Sequence, residues 1–157
     1  MSSVRLLLIS RDDLLGLMNE DMADRAFRLI ASLTRQGYHL LATAPQPEQW
    51  TGEHGSPDDA LLGPNGIRKR LSEEGGSLGG VYYVRRSLLT QKRNREDALR
   101  DILQRYAAKP EQTVLLSSKR NFVKAGRKLG LRATLLDRDH ELLIELSHLH
   151  NSAVSDA

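Results

Sequence analysis

Four short clusters hold the residues whose types and spacing could do chemistry. Ser10-Arg11-Asp12-Asp13 places a hydroxyl and two carboxylates within four residues, the groups that acid/base and metal-assisted reactions draw on. Asp12 is the candidate acid/base, although an aspartate that follows a buried strand can equally cap a turn through its side chain. Ser10 has no histidine near it in sequence, and an unactivated hydroxyl is a weak nucleophile. Ser117-Ser118-Lys119-Arg120 joins two hydroxyls to two cations ahead of a helix, where free backbone amides attract anions. Arg85, Arg86, Lys92 and Arg93 add positive charge, and Thr43 adds a hydroxyl. Charge-assisted hydrogen bonds from such groups suit a small anionic or phosphorylated molecule. The same cations can equally form a solvated surface.

Other chemistries lack their residues. The chain has no cysteine, which removes disulfides, thiolate zinc sites and thiol nucleophiles together. The histidines at 39, 54, 140, 148 and 150 show no metal-ligand spacing and read as surface residues. A net charge of +3 and a pI near 9.4 are mildly basic, the balance of an ordinary soluble domain more than of a nucleic-acid binder. The stretch MSSVRLLLIS is too short for a signal-peptide core or a membrane span. A cytoplasmic protein with no membrane partner is expected.

The elements that must position these residues can be read from periodicity. The apolar run Val4 to Ile9 reads as a strand buried on both faces. Met22, Ala26, Leu29, Ile30 and Leu33 recur at helical spacing from Asp21, with Gly37 as the C-cap. Tyr38 to Ala44 is a second strand that stops at Pro45. Gln46 to Gly66 reads as a long surface connection, and its Trp50 as a contact residue or a locally packed one. A helix over Ile67 to Glu74 leads to a third strand, Gly80 to Val84. Glu96 to Tyr106 is amphipathic, Thr113 to Leu116 a fourth strand, Phe122 to Leu129 a helix closed by Gly130, and Ala133 to Leu136 a fifth strand. Leu142, Leu143, Leu146 and Leu149 form a stripe that can cover the sheet or pair with a homodimer mate or another protein.

This alternation predicts an α/β fold, a doubly wound Rossmann-like three-layer sandwich on a central, mainly parallel five-stranded sheet. Ligands of such sheets bind beyond the carboxyl ends of the strands. One domain over 1–150, with a mobile tail over 151–157, is expected.

At those strand ends the chain resembles the haloacid-dehalogenase-like (HAD) superfamily, nearest its histidinol-phosphate and heptose-bisphosphate phosphatase branch. The likeness runs from Val4 to Leu136 through LLLISRDDLL, RQGYHLLATAPQ, RKRLSEEGGSLGGVYY and LLSSKRNFVKAGRKLGLRATLL. The resemblance implies a HAD-like domain without a large cap. It also implies that Ser10 occupies the position of the nucleophilic aspartate, Asp12 that of the acid/base, Thr43 that of the phosphate-contacting hydroxyl, and Lys92 or Arg93 that of the charge-stabilising lysine. The family's Gly-Asp-x-x-x-Asp falls on Ser117 to Phe122, so both metal-binding carboxylates are replaced, with Lys119 and Arg120 beside them. Val84 and Arg86 stand where the heptose-phosphatase branch holds zinc.

The expected protein is therefore a divergent HAD-like binding or regulatory module without phosphatase activity. It would take an anionic ligand through Thr43, Arg85, Arg86, Lys92, Arg93, Ser117, Ser118, Lys119 and Arg120, and would need no cofactor and no zinc. Two alternatives stay open. One is a magnesium-dependent phosphomonoester hydrolase that uses Asp12 and Asp13. The other is a basic interaction module for nucleic acid or an acidic protein, with nucleic acid the less expected partner.

Overall fold

Leu6, Leu7, Leu8 and Ile9 are all fully buried, the mark of a central strand covered on both faces. The computed structural model describes residues 4–19, 23–45, 66–84 and 91–155. Strand β1 (Arg5–Ser10) runs without a loop into helix α1 (Arg11–Gly16), which passes through a 3-10 turn at Leu17–Asn19. Then come α2 (Ala23–Arg35), β2 (Tyr38–Pro45), α3 (Ile67–Glu73) and β3 (Gly80–Val84). The remainder is α4 (Gln91–Arg105), β4 (Thr113–Ser117), α5 (Arg120–Lys128), β5 (Arg132–Leu135) and α6 (Leu142–Ser155).

The five strands form one parallel sheet in the order β3-β2-β1-β4-β5. Side chains alternate along each strand, so Leu7, Ile9, Leu40, Val114 and Leu116 face one layer, with Phe27, Ile30, Leu146 and Leu149 of α2 and α6. Leu6, Leu8, Leu41 and Leu115 face the other, with Leu99 and Ile102 of α4 and Phe122 and Ala125 of α5. The α/β three-layer expectation is met.

Two turns predicted from glycine are built as such. Gly37 has φ +106 after α2, and Gly130 has φ +89 after α5, values that side-chain-bearing residues avoid. After α5 the amide of Gly130 donates to Arg127 and that of Leu131 to Gly126, the paired bonds that satisfy a helix end. Gly126 also sets the depth of α5, because a Cβ there would lie 2.9 Å from Leu115 Cδ2 on β4.

Three boundaries differ from the sequence expectation. Residues 11–16, read as a polar stretch, are helical because Leu14 and Leu17 are buried together and Asp12 and Asp13 lie in the first turn, where carboxylates favour the helix dipole. Helix α4 begins at Gln91, five residues before Glu96. Helix α6 continues from Asn151 to Ser155, into the expected tail over 151–157. Its stripe is spent on the core, with Leu142, Leu146 and Leu149 all buried there.

Candidate functional site

The strand order creates a switch point. From β1 the chain turns to β2 on one side, while β4 lies on the other, and such a reversal opens a crevice at the carboxyl ends of the two central strands. Ser10 ends β1 and Ser117 ends β4. Register places Ile9 opposite Leu116 and Ser10 opposite Thr43. The floor of the crevice is thus Thr43, Ser10 and Ser117, respectively 4%, 4% and 0% exposed.

Buried hydroxyls need partners, and here they find each other. Ser10 Oγ and Ser117 Oγ are 2.5 Å apart, and Ser117 Oγ accepts the Lys119 amide at 3.0 Å. One layer out, the Ser118 amide donates to Asp13 Oδ2 at 2.9 Å. Asp12 lies between two cations, with Arg11 Nε at 3.4 Å and Lys119 Nζ at 3.7 Å. Its side chain is 52% exposed, so these ion pairs are weak. Only two residues join β4 to α5, and none joins β1 to α1. Short connections and internal bonds lace the two strand ends together.

Ser10, Asp12, Asp13, Ser117, Ser118 and Lys119 therefore converge as expected, with Thr43 beside Ser10. The expectation that the amides ahead of α5 are free is corrected, since those of Ser118 and Lys119 bond Asp13 and Ser117. Arg120 is exposed at the first position of α5. Arg93 pairs with Asp97 one turn along α4 at 3.6 Å. Arg85, Arg86, Trp50 and His54 lie outside the described residues, as does the side chain of Lys92. Sequence reasoning missed Arg11, whose side chain is only 12% exposed beside Asp12; its place between strand and carboxylate was the available signal.

Magnesium favours carboxylate oxygens, and the carboxylates at this sheet edge are those of Asp12 and Asp13. Ser118 is exposed, and Phe122 packs in the apolar layer with Leu6 and Leu8. Asp13 is engaged by an amide and Asp12 by cations. Among the described residues no three His, Asp or Glu side chains group as a metal site.

The histidines are not all surface residues. His39 is half-buried and packs at a tilt against Tyr106, with ring centroids 4.9 Å apart. His150 Nε2 meets Ser32 Oγ at 3.0 Å between α6 and α2. Two other polar groups are tuned by contact. The Tyr82 hydroxyl, with help from Arg105, holds the Asp101 carboxyl below its usual range, and Asp101 in turn pushes the Arg105 guanidinium up. The imidazole of His140, aided by backbone amides, lowers Asp137. A cavity of about 120 Å³ under α6 is lined by Leu116, Arg132, Thr134, Glu145 and His148, away from the Ser10–Ser117 contact. No helix among the described residues is long and apolar enough to cross a membrane.

No protein-family model matches the sequence, and no curated protein matches it. Among solved structures the chain is similar to an uncharacterized protein from Corynebacterium glutamicum ATCC 13032 Kitasato. The TM-score is 0.58 at 15% identity, covering 95% of this chain and 96% of that one. The likeness extends the α/β architecture to a second protein and is a likeness of fold alone.

Proposed function

We propose that the chain is a divergent HAD-like domain that no longer hydrolyses phosphomonoesters and serves as a binding or regulatory module, taking an anionic or phosphorylated ligand at its strand ends. One observation carries this reading: Ser10 and Ser117, at the ends of the two strands that would have to supply nucleophile and metal ligands, are hydrogen-bonded to each other and buried. A hydroxyl so engaged has neither a base to activate it nor charge to offer a cation. The adjacency of β1 and β4 supports the family assignment, because a centre built from both loops requires it. For the ligand, Thr43 supplies a hydroxyl beside Ser10, and Lys119 supplies a cation at the mouth.

The test is a panel of phosphate monoesters incubated with magnesium, paired with a thermal-shift series in inorganic phosphate and sugar phosphates. No turnover and a rise in melting temperature with phosphate concentration are expected. Turnover that disappears in Asp12→Ala would instead establish the hydrolase alternative. A melting temperature indifferent to every phosphate would remove the anion from the proposal. The double substitution Ser10→Asp/Ser118→Asp should stay inactive, since Phe122 leaves the third carboxylate absent.

A further inference from the structure

The positive charge of the chain is unevenly placed. The 25 residues from Gln112 to Leu136 contain six Lys or Arg and no Asp or Glu. Elsewhere 17 basic residues face 20 acidic ones, so one β-α-β unit holds the whole excess.

Most of that charge is on α5. Phe122, Val123, Ala125 and Gly126 are buried against the sheet, whereas Arg120, Lys124, Arg127 and Lys128 are exposed. At helical periodicity these four fall within an arc of about 100° on the solvent side. Lys128 is answered by Glu96 of α4 at 2.9 Å. Arg127 donates to the Ala133 carbonyl at 3.1 Å, which steadies the side chain and leaves its charge intact. Arg120 and Lys124 pair with no carboxylate among the described residues. Local stability does not favour this arrangement: like charges four residues apart repel, and a cation in the first turn opposes the helix dipole.

We propose that the outer face of α5 docks the phosphate backbone of duplex nucleic acid, without reading sequence, through Arg120, Lys124 and Arg127. The three cations span about 10 Å of helix axis at 1.5 Å per residue. A duplex offers one negative charge per ~1.7 Å, a density that suits such a stripe. An anionic membrane fits less well, because interfacial helices insert an apolar face and that of α5 is buried in the core. An acidic protein partner would draw on aromatic or apolar anchors, and α5 exposes none. The absence of an exposed ring on α5 also denies it base stacking, which single strands exploit. This surface is separate from the strand-end crevice, and the proposal does not rest on the reading of that site.

The test uses the full chain and a fluorescent mixed-sequence duplex of about 20 base pairs, with anisotropy followed as salt rises. Three phosphate contacts predict a log–log salt slope of about −2.7, hence about 40-fold weaker binding at 200 mM than at 50 mM salt. Lys124→Gln should lower the slope by about 0.9. Arg120→Gln/Lys124→Gln/Arg127→Gln should abolish binding while the chain still unfolds in one cooperative urea transition. A control with the same loss of charge on the other face of the sheet, Arg25→Gln/Arg28→Gln/Arg35→Gln, should bind almost as the parent does. No binding at 50 mM salt, equal loss in the control, tighter binding of a single strand, or displacement of the duplex by anionic vesicles or poly-glutamate would each overturn the proposal. Failure on any of these counts leaves the thermal-shift response to phosphate, and with it the crevice reading, untouched.

Discussion

The crevice between β1 and β4 and the outer face of α5 are two residues apart in the chain, and they handle polarity in opposite ways. In the crevice three polar groups are answered from within: Ser10 by Ser117, the Ser118 amide by Asp13, Lys119 by Asp12. On α5 the cations point outward and two of them have no carboxylate partner among the described residues. Helix α4, packed beside α5, mixes acids with its cations, and three of its arginines find them a turn away: Arg93 with Asp97, Arg100 with Asp97 and Glu96, Arg105 with Asp101. The buried hydroxyl pair holds the fold, and the α5 cations that lack a carboxylate partner are available to a second molecule. Mutations should therefore separate the two regions by readout, with stability responding at the crevice hydroxyls and duplex binding on α5.

The largest stability effect is expected at the buried hydroxyl pair. Ser117→Ala strands the Ser10 hydroxyl and the Lys119 amide, and an unsatisfied buried polar group costs about 1–3 kcal/mol. Replacing both hydroxyls in Ser10→Ala/Ser117→Ala leaves no orphan between them, so the double variant should be less destabilised than the two singles added, by about 1 kcal/mol. Urea denaturation of the four proteins of this cycle measures the coupling. Strict additivity would mean that the 2.5 Å contact contributes nothing.

Removing charge from α5 should act in the reverse direction. Lys124 has Arg120 four residues before it and Lys128 four residues after it, and like pairs at that spacing each destabilise a helix by about 0.2–0.5 kcal/mol. Lys124→Gln should thus leave the fold as stable as before or raise its stability by a few tenths of a kcal/mol, measured by the same denaturation. A loss comparable to that of Ser117→Ala would erase the contrast between the regions.

How far the sequence discloses each region follows from the range of the interactions involved. Strands and helices were legible because burial periodicity is local, and the turns at Gly37 and Gly130 because a positive φ selects glycine at one position. Residues Ser10, Thr43 and Ser117 were legible as strand ends, hence as neighbours on one sheet edge. That Ser10 and Ser117 would bond each other, 107 residues apart, depends on β4 lying beside β1, which no local pattern encodes. Helix α1 is not legible from periodicity because it buries only Leu14 among its six residues, and the apolar spacing is completed by Leu17 in the following turn. The convergence of Asp13 on Ser118 followed from that helix, since only a chain that turns at once after β1 brings Asp13 back over β4.

Acid should probe the same contrast with the smallest effect, because compensation in the crevice and on α4 depends on carboxylates, and α5 has none. Asp101 reports this on α4. Its carboxyl accepts from the Tyr82 hydroxyl of β3 and from Arg105 Nε at 3.1 Å, and these bonds hold it below its ordinary value of 3.8. A carboxyl lowered in the folded state contributes stability that is present above the unfolded value and is lost as pH falls through the folded one. The urea midpoint should accordingly decline as pH falls from about 5 into the range below 3.8, where Asp101 protonates in the fold as well. Tyr82→Phe removes the largest cause of the lowering, so it should flatten that decline and reduce stability at neutral pH. For a partly exposed, solvent-screened group the difference is expected to stay within about 1 kcal/mol. Lys124→Gln, which touches no carboxylate among the described residues, should follow the parent through the same range; a changed slope in that variant would mean that Lys124 itself is coupled to an acidic group.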